Sequence, residues 1–219
     1  MATRKANKTN TEDNIITMYM EFVLENEHAP KSIYKFCKEQ KINEADFYKK
    51  FGSFESLKSR IWERFYDVTL DLAHKDSNYE SMSNKDKMLT FYYTFFEMLT
   101  ANRSYVLFEL SPIKEMLKNA KQLSTLRKKV KEFAGELIES ANDEKQLRIT
   151  KQPVSLFSEG AWVQLLFLLQ FWINDSSAGF EKTDAAIEKS VRTVFDLFDT
   201  STIDSVIDLG KFLWKERMI

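Results

Sequence analysis

The chain has one cysteine, Cys37, and two histidines, His28 and His74, in 219 residues. A lone cysteine excludes an internal disulfide, and no Cys/His spacing matches a zinc site, so no metal or other cofactor is expected. This thiol usage fits a reducing cytoplasm. Only five glycines and three prolines interrupt the sequence, and apolar residues recur at three- and four-residue spacing, which specifies an all-α protein. There is no Gly-rich phosphate loop, no Gly-x-Ser-x-Gly elbow, no His-Glu-x-x-His helix and no nucleophile beside a base, so the chain reads as a non-enzyme. Its basic start, Met1 to Lys8, lacks the apolar core of a signal peptide and reads as a flexible arm. The longest apolar stretch, Ala161 to Ile173, is interrupted by Gln164 and Gln170. It falls short of the ~20 residues that span a bilayer, and no transmembrane segment is expected.

Charge of one sign is also scarce. The formal net charge is −1; residues 1–60 carry 11 Lys/Arg against 9 Asp/Glu, and the remainder 21 against 24. The asymmetry has the sign that suits nucleic acid, but strongly basic faces are its usual footprint, so charge alone does not suggest DNA.

Apolar periodicity places a first helix from Glu12 to Glu25, with Ile15, Tyr19, Phe22 and Val23 on one face. Asn26 to Ala29 makes a turn, and Pro30 suits the first position of a second helix, whose buried side is Ile33, Phe36 and Cys37. Lys41-Ile42-Asn43 leads to a short third helix from Glu44 to about Lys50, with Asn43 as its cap. Gly52-Ser53 restarts the chain into a longer helix through Leu57, Ile61, Phe65, Val68 and Leu72. A polar stretch, His74 to Lys87, follows. Further helices are expected over Met88–Asn102, Tyr105–Leu117 with a break at Pro112, Leu123–Glu144 as a mostly charged, solvent-facing helix, Phe157–Asn174, Thr183–Phe198 and Ser201–Met218. Phe157–Asn174 is apolar nearly all round and should be buried on more than one side.

The segment Phe47-Tyr48-Lys49-Lys50-Phe51-Gly52-Ser53-Phe54-Glu55-Ser56-Leu57, closing three short helical patterns, resembles the TetR family of bacterial transcriptional regulators. The resemblance covers residues 15–57. It implies an N-terminal three-helix helix-turn-helix module, residues 1–50, joined to a larger helical ligand and dimerisation bundle, residues 51–219. It further implies a double-stranded DNA operator, a small hydrophobic ligand and a homodimer. Ser32, Tyr48 and Lys49 stand where the family commonly contacts phosphates. Lys41 replaces its usual turn glycine, Asn43 its Ser or Thr cap, and Phe54 the Lys of its Ser-Lys-Glu motif. Lys41 must then adopt a left-handed turn or alter it, and Phe54 forgoes one phosphate-neutralising charge. Glu44 and Asp46 occupy the first turn of the expected recognition helix. They either complement the helix dipole or accept a hydrogen bond from cytosine N4. The basic arm, Arg4, Lys5 and Lys8, either enters a minor groove or is merely solvated.

In the larger part, aromatic and Met side chains form stripes that serve as core or surround an elongated cavity. Phe95, Met98, Phe108, Trp162 and Leu166 are the candidate lining of a ligand pocket. By the resemblance, Phe157–Asn174 and Thr183–Phe198 would pair with a second copy in a four-helix interface. Trp172-Ile173-Asn174-Asp175-Ser176-Ser177, Thr183, Ile187 and the amphipathic segment ending in Trp214 are also similar to the TetR-like lipid-binding accessory proteins of ubiquinone biosynthesis. That similarity implies an alternative without DNA binding, in which the last helix works at membranes.

Overall fold

The structure is a computed structural model that describes residues 11–110, 122–143 and 153–197. All regular structure among them is helical: α1 (Glu12–Asn26), α2 (Ile33–Glu39), α3 (Glu44–Tyr48), α4 (Phe54–Ala73), α5 (Asn84–Ala101), α6 (Arg103–Leu110), α7 (Ser124–Asp143), α8 (Val154–Asn174) and α9 (Glu181–Leu197), with short 3-10 turns at Tyr79–Ser81 and Ala178–Phe180. The all-α reading therefore holds. The basic arm with Arg4, Lys5 and Lys8, the chain around Pro112 and the expected last helix, Ser201–Met218, lie outside the described residues.

Two compact units emerge. The first holds the helices up to Phe65 and the chain from Leu99 to Thr125; the second holds Tyr66–Met98 and the chain from Leu126 onward. By packing, the N-terminal helices thus extend past residue 50 to take in the start of α4 and all of α6. The first unit is organised by aromatic burial: Tyr19, Phe36 and Phe47 are fully buried, and α1 buries Ile15, Ile16, Tyr19, Phe22 and Val23 along one stripe. Ion pairs bind α4 to the start of α1, Arg60 to Glu12 at 2.6 Å and Arg64 to Asp13 at 3.3 Å. A buried carboxylate on α6, Glu109, takes Lys58 of α4 at 2.9 Å and the Tyr19 hydroxyl of α1 at 3.5 Å. Burial first, and the Glu109 charge second, raise the Tyr19 hydroxyl far above its ordinary value, so it stays a neutral donor.

Helix ends follow local chemistry. The Thr11 side chain accepts from Asn14 N at 3.2 Å to start α1, and Ser53 and Ser56 cap one another's backbone N–H to start α4. The second helix corrects the expectation at Pro30. It begins at Ile33 with Ser32 as N-cap, whose hydroxyl accepts from Lys35 N at 3.2 Å. Ser32 is the first residue there able to satisfy an unpaired N–H of the opening turn, which Pro30 cannot do.

In the second unit, α5 buries Met88, Phe91, Tyr92, Phe95 and Phe96. The expected charged, solvent-facing helix is instead amphipathic: α7 buries Leu126, Val130, Phe133, Ala134, Leu137 and Ile138, which recur at three- and four-residue spacing on one face. Phe133 meets the Phe91 ring at 4.9 Å. The long helix α8 buries Phe157, Ala161, Leu165, Leu168, Leu169 and Trp172. Its 21 residues are long and apolar enough to cross a membrane by length and composition alone. Among the described residues it is covered on one side, and Leu156, Val163, Phe167 and Phe171 face outward.

The turn from α8 to α9 is fixed by Asp175, whose carboxylate accepts from Ser177 N and Oγ at 2.8 and 2.6 Å and from Thr183 N and Oγ1 at 2.9 and 2.7 Å. These bonds, the Ser177 hydroxyl foremost, hold its carboxyl well below the usual carboxylate range. A depressed native pKa contributes stability above the unfolded value, near 4, that is lost as pH falls through the native one. Asp175→Asn should therefore lower the thermal midpoint at pH 7 and flatten its decline below about pH 4, measured by circular dichroism melts across pH.

Candidate nucleic-acid interface

Residues 31–50 present a compact polar surface. α2 ends in a Schellman arrangement: Ile42 N donates to Cys37 O at 2.8 Å and Lys41 N to Lys38 O at 3.4 Å, with Lys41 at φ 56°. Lys41 thus adopts the left-handed conformation that a glycine would take without steric cost. Ile42 turns inward and is buried, which aims the chain into α3. Asn43 caps α3 as expected, its Oδ1 accepting from Ala45 N at 2.9 Å. Glu44 and Asp46 then occupy the first turn, where their charges complement the helix dipole.

Phe47 anchors α3. Its ring is fully buried and lies 6.2 Å from Phe36, 5.6 Å from Phe51 and 5.7 Å from Phe54. Phe54 also meets Tyr19 at 5.5 Å and Phe36 at 5.8 Å, so its ring serves the core. With Phe47 held inward, the following Tyr48 is 51% exposed and Lys49 extends into solvent, its ammonium 2.9 Å from the Asp46 carboxylate. That pair is exposed on both sides and exchangeable for another anion. Ser32 is exposed at the start of α2, but its hydroxyl is engaged in the cap.

The sequence reading missed two features. Tyr34, in the first turn of α2, is 60% exposed; it falls off the Ile33, Phe36, Cys37 pattern, which was the available signal. The second is local charge. Lys31, Lys35, Lys38, Lys41, Lys49 and Lys50 are all exposed, against three acids, Glu39, Glu44 and Asp46, in the same 20 residues. The count over residues 1–60 diluted this excess with acids elsewhere, two of which, Glu12 and Asp13, are committed to Arg60 and Arg64.

Other reactive side chains are occupied by structure. Burial, with a smaller contribution from Glu44, pushes the Cys37 thiol up to about 11, which leaves it protonated and unreactive at neutral pH. His28 sits beside Phe22, and His74 bonds Leu70 O and lies against the Tyr79 ring in a tilted arrangement. Among the described residues no group of three His, Cys, Asp or Glu side chains could hold a metal ion.

The expected pocket residues differ in burial. Phe95 is fully packed, while Met98, Phe108, Trp162 and Leu166 are half-buried, and Phe108 belongs to the first unit whereas the other four belong to the second. Surface grooves are found on α8 and α9. One of about 510 Å³ is lined by Gly160, Val163, Gln164, Phe167, Ala186, Lys189, Ser190, Thr193 and Val194. A second of about 330 Å³ follows it past Phe167 and Phe171 to Asp175 and Lys182.

The described residues form a short helical head with a capped α2–α3 pair and a helical body with an apolar α8 face. Residues 87–213 match the family model described as "Tetracyclin repressor-like, C-terminal domain", and the chain belongs to that family. Among curated proteins none matches. The matched region starts beyond α4 and leaves α1–α3 outside it.

Because Lys41 carries a side chain in a left-handed conformation, Lys41→Gly should stabilise the protein by about 0.5–1 kcal/mol, the strain relieved exceeding the added freedom of the unfolded chain. Urea melts check this; a loss of stability would mean that the lysine stem contributes more by packing than its backbone costs.

Proposed function

We propose that the chain is a dimeric, ligand-responsive transcriptional regulator of the TetR type, without enzymatic activity, that acts on operator DNA in the cytoplasm. The observation that carries this reading is the exposed row of Tyr48, Lys49 and five other lysines around an α3 fixed by Phe47. In a helix-turn-helix the second helix enters the major groove while flanking groups hold phosphates. Here α3 is the entering helix, Ser32 and the start of α2 lie against the backbone, and Lys49 exchanges Asp46 for a phosphate. Asn43, Glu44 and Asp46 stand at the leading end of α3, where base edges pass; a carboxylate there suits the N4 amine of cytosine.

Dimerisation supplies the second head. Val163 and Phe167 on α8 are 62% and 54% exposed, and Leu197 on α9 is 58% exposed, an apolar face that favours burial against its own copy in a four-helix interface. A hydrophobic ligand that prefers the dimer state with the wrong head separation would lower operator affinity by its differential affinity for the two states. Phe95, Met98, Phe108, Trp162 and Leu166 remain the proposed side chains for its apolar body. The lipid-accessory alternative gains nothing from the family match, and its distinguishing last helix lies outside the described residues.

Two experiments test the reading. Lys49→Ala should weaken binding to the protein's own upstream DNA and to an unrelated duplex alike, and should reduce the slope of log K against log salt by about one. Tyr48→Phe should weaken binding without that change in slope. Unchanged affinity in both variants would rule out the docking. Separately, Phe167→Glu should convert dimer to monomer in analytical ultracentrifugation with helicity intact; a retained dimer would place the interface elsewhere.

A further inference from the structure

Among the described residues α9 has a side that no helix covers. It buries Thr183, Ile187 and Val191, which leaves Lys182, Ala186, Lys189, Thr193 and Leu197 along another side at three- and four-residue spacing. Ala186, Lys189 and Thr193 form one wall of the groove of about 510 Å³, and Gly160, Val163 and Phe167 of α8 form the other. The groove is open at Gly160, where an added Cβ would meet nothing within 4 Å. Lys189 is the charged residue among the described lining, and its ammonium makes no ion pair within the described residues.

The described chain ends at Leu197, which is 58% exposed and lies one turn past Thr193 and Val194 of that groove. The family domain does not stop there; its match runs on to residue 213. The residues that follow have the character the groove lacks. Ile203, Val206, Ile207, Leu213, Trp214 and Met218 recur at helical spacing, with Asp204 and Asp208 one turn apart on the flank of that stripe. Ser201 stands three residues before Asp204, the spacing of a capping box. Phe198, Asp199 and Thr200 separate Leu197 from Ser201, a connection of the usual length between antiparallel helices.

We propose that residues 201–218 fold back as a helix along α9 and seat their apolar stripe in the α8–α9 groove of the same chain. The register follows from two constraints, the reversal at residues 198–200 and the Gln164–Ser190 hydrogen bond of 2.9 Å that aligns α8 with α9. At a common rise of ~1.5 Å per residue, Ile207 comes level with Val163, Gly210 with Phe167 and Trp214 with Phe171. A glycine at 210 leaves room for the Phe167 ring, which is 54% exposed. Asp208 comes level with Lys189 and supplies its anion. A second copy seated directly in the groove would bring only the same lysine to it. A segment on a short connection also reaches its own chain at far higher effective concentration than a partner's. The inference goes beyond the dimer reading, since a copy then pairs with the surface that the three helices form together.

The test uses the full-length protein carrying Lys189→Cys with Asp208→Cys and, as an out-of-register control, Lys189→Cys with Lys215→Cys. Cys37 is buried and does not compete. Under mild oxidation the first pair should close within one chain, read as a faster-migrating band on a non-reducing gel. It should close about tenfold faster than the second pair, whose sites are displaced by ~10 Å along the helix axis. Adding Val163→Glu, at an exposed position of the groove wall, should slow the first pair to the rate of the second with helicity intact. Equal rates for the two pairs, or a first pair indifferent to Val163→Glu, would overturn the proposal. So would the absence of any disulfide, or a disulfide formed first between two chains, which would put the segment in a partner's groove. Sedimentation of the oxidised protein reads pairing between copies separately. A monomer in which the first pair closes keeps this inference and loses the dimer; a dimer in which both pairs close alike does the reverse.

Discussion

The head depends on the burial of Phe47. A five-residue helix has no independent stability, because nucleation fixes several dihedrals for almost no internal hydrogen bonds. α3 exists because Phe47 is inserted among Phe36, Phe51 and Phe54, because Asn43 caps its start and because Lys41 accepts a left-handed turn before it. Everything exposed on α3 follows from that insertion, since Phe47 inward sets Tyr48 and Lys49 outward. Phe54 belongs to the same constraint. Its ring, in contact with Tyr19, Phe36 and Phe47, ties α3 to α1 and α2.

The second unit poses the opposite problem, an apolar helix that the described residues cover on one side. α8 is packed on the side of Phe157, Leu165, Leu168 and Trp172, and the Tyr92 hydroxyl bonds Ala161 O at 2.9 Å to fix its height. The side of Val163, Phe167 and Phe171 stays open beside α9. Contiguous exposed apolar side chains of this kind are unfavourable in water and mark association surfaces. The Asp175 turn holds α8 and α9 together at one end, and the Gln164–Ser190 hydrogen bond of 2.9 Å ties them further along. The open face is thus built on two mutually braced helices.

How much of this could be read from the sequence follows from which interactions are local. Helix existence and type came from three- and four-residue periodicity, and the Asn43 cap from a side chain bonding its own neighbourhood. Pro30 misled because both it and Ser32 are acceptable helix starters, and only the hydroxyl satisfies the free N–H at Lys35. α7 misled because Lys and Glu fill its outer face so densely that Leu126, Val130, Phe133 and Leu137 are easily underweighted. One non-local feature was invisible, since the Glu109, Lys58 and Tyr19 cluster joins residues up to 90 positions apart; the basic excess of residues 31–50 was present in the sequence but diluted in a count over residues 1–60. Of the candidate site, the exposure of Tyr48 and Lys49 follows from the local Phe47 pattern, whereas aromatic stripes in a sequence look alike whether they line a cavity or fill a core.

The most direct test of the central claim, that the α2–α3 surface docks on duplex DNA, is hydrogen–deuterium exchange of the full-length protein with and without its own upstream DNA at low salt. The account predicts slowed exchange concentrated in residues 31–50, with the outer faces of α7 and α9 unchanged, and loss of that protection on raising salt. Protection absent from residues 31–50 on both the upstream and an unrelated duplex would contradict it.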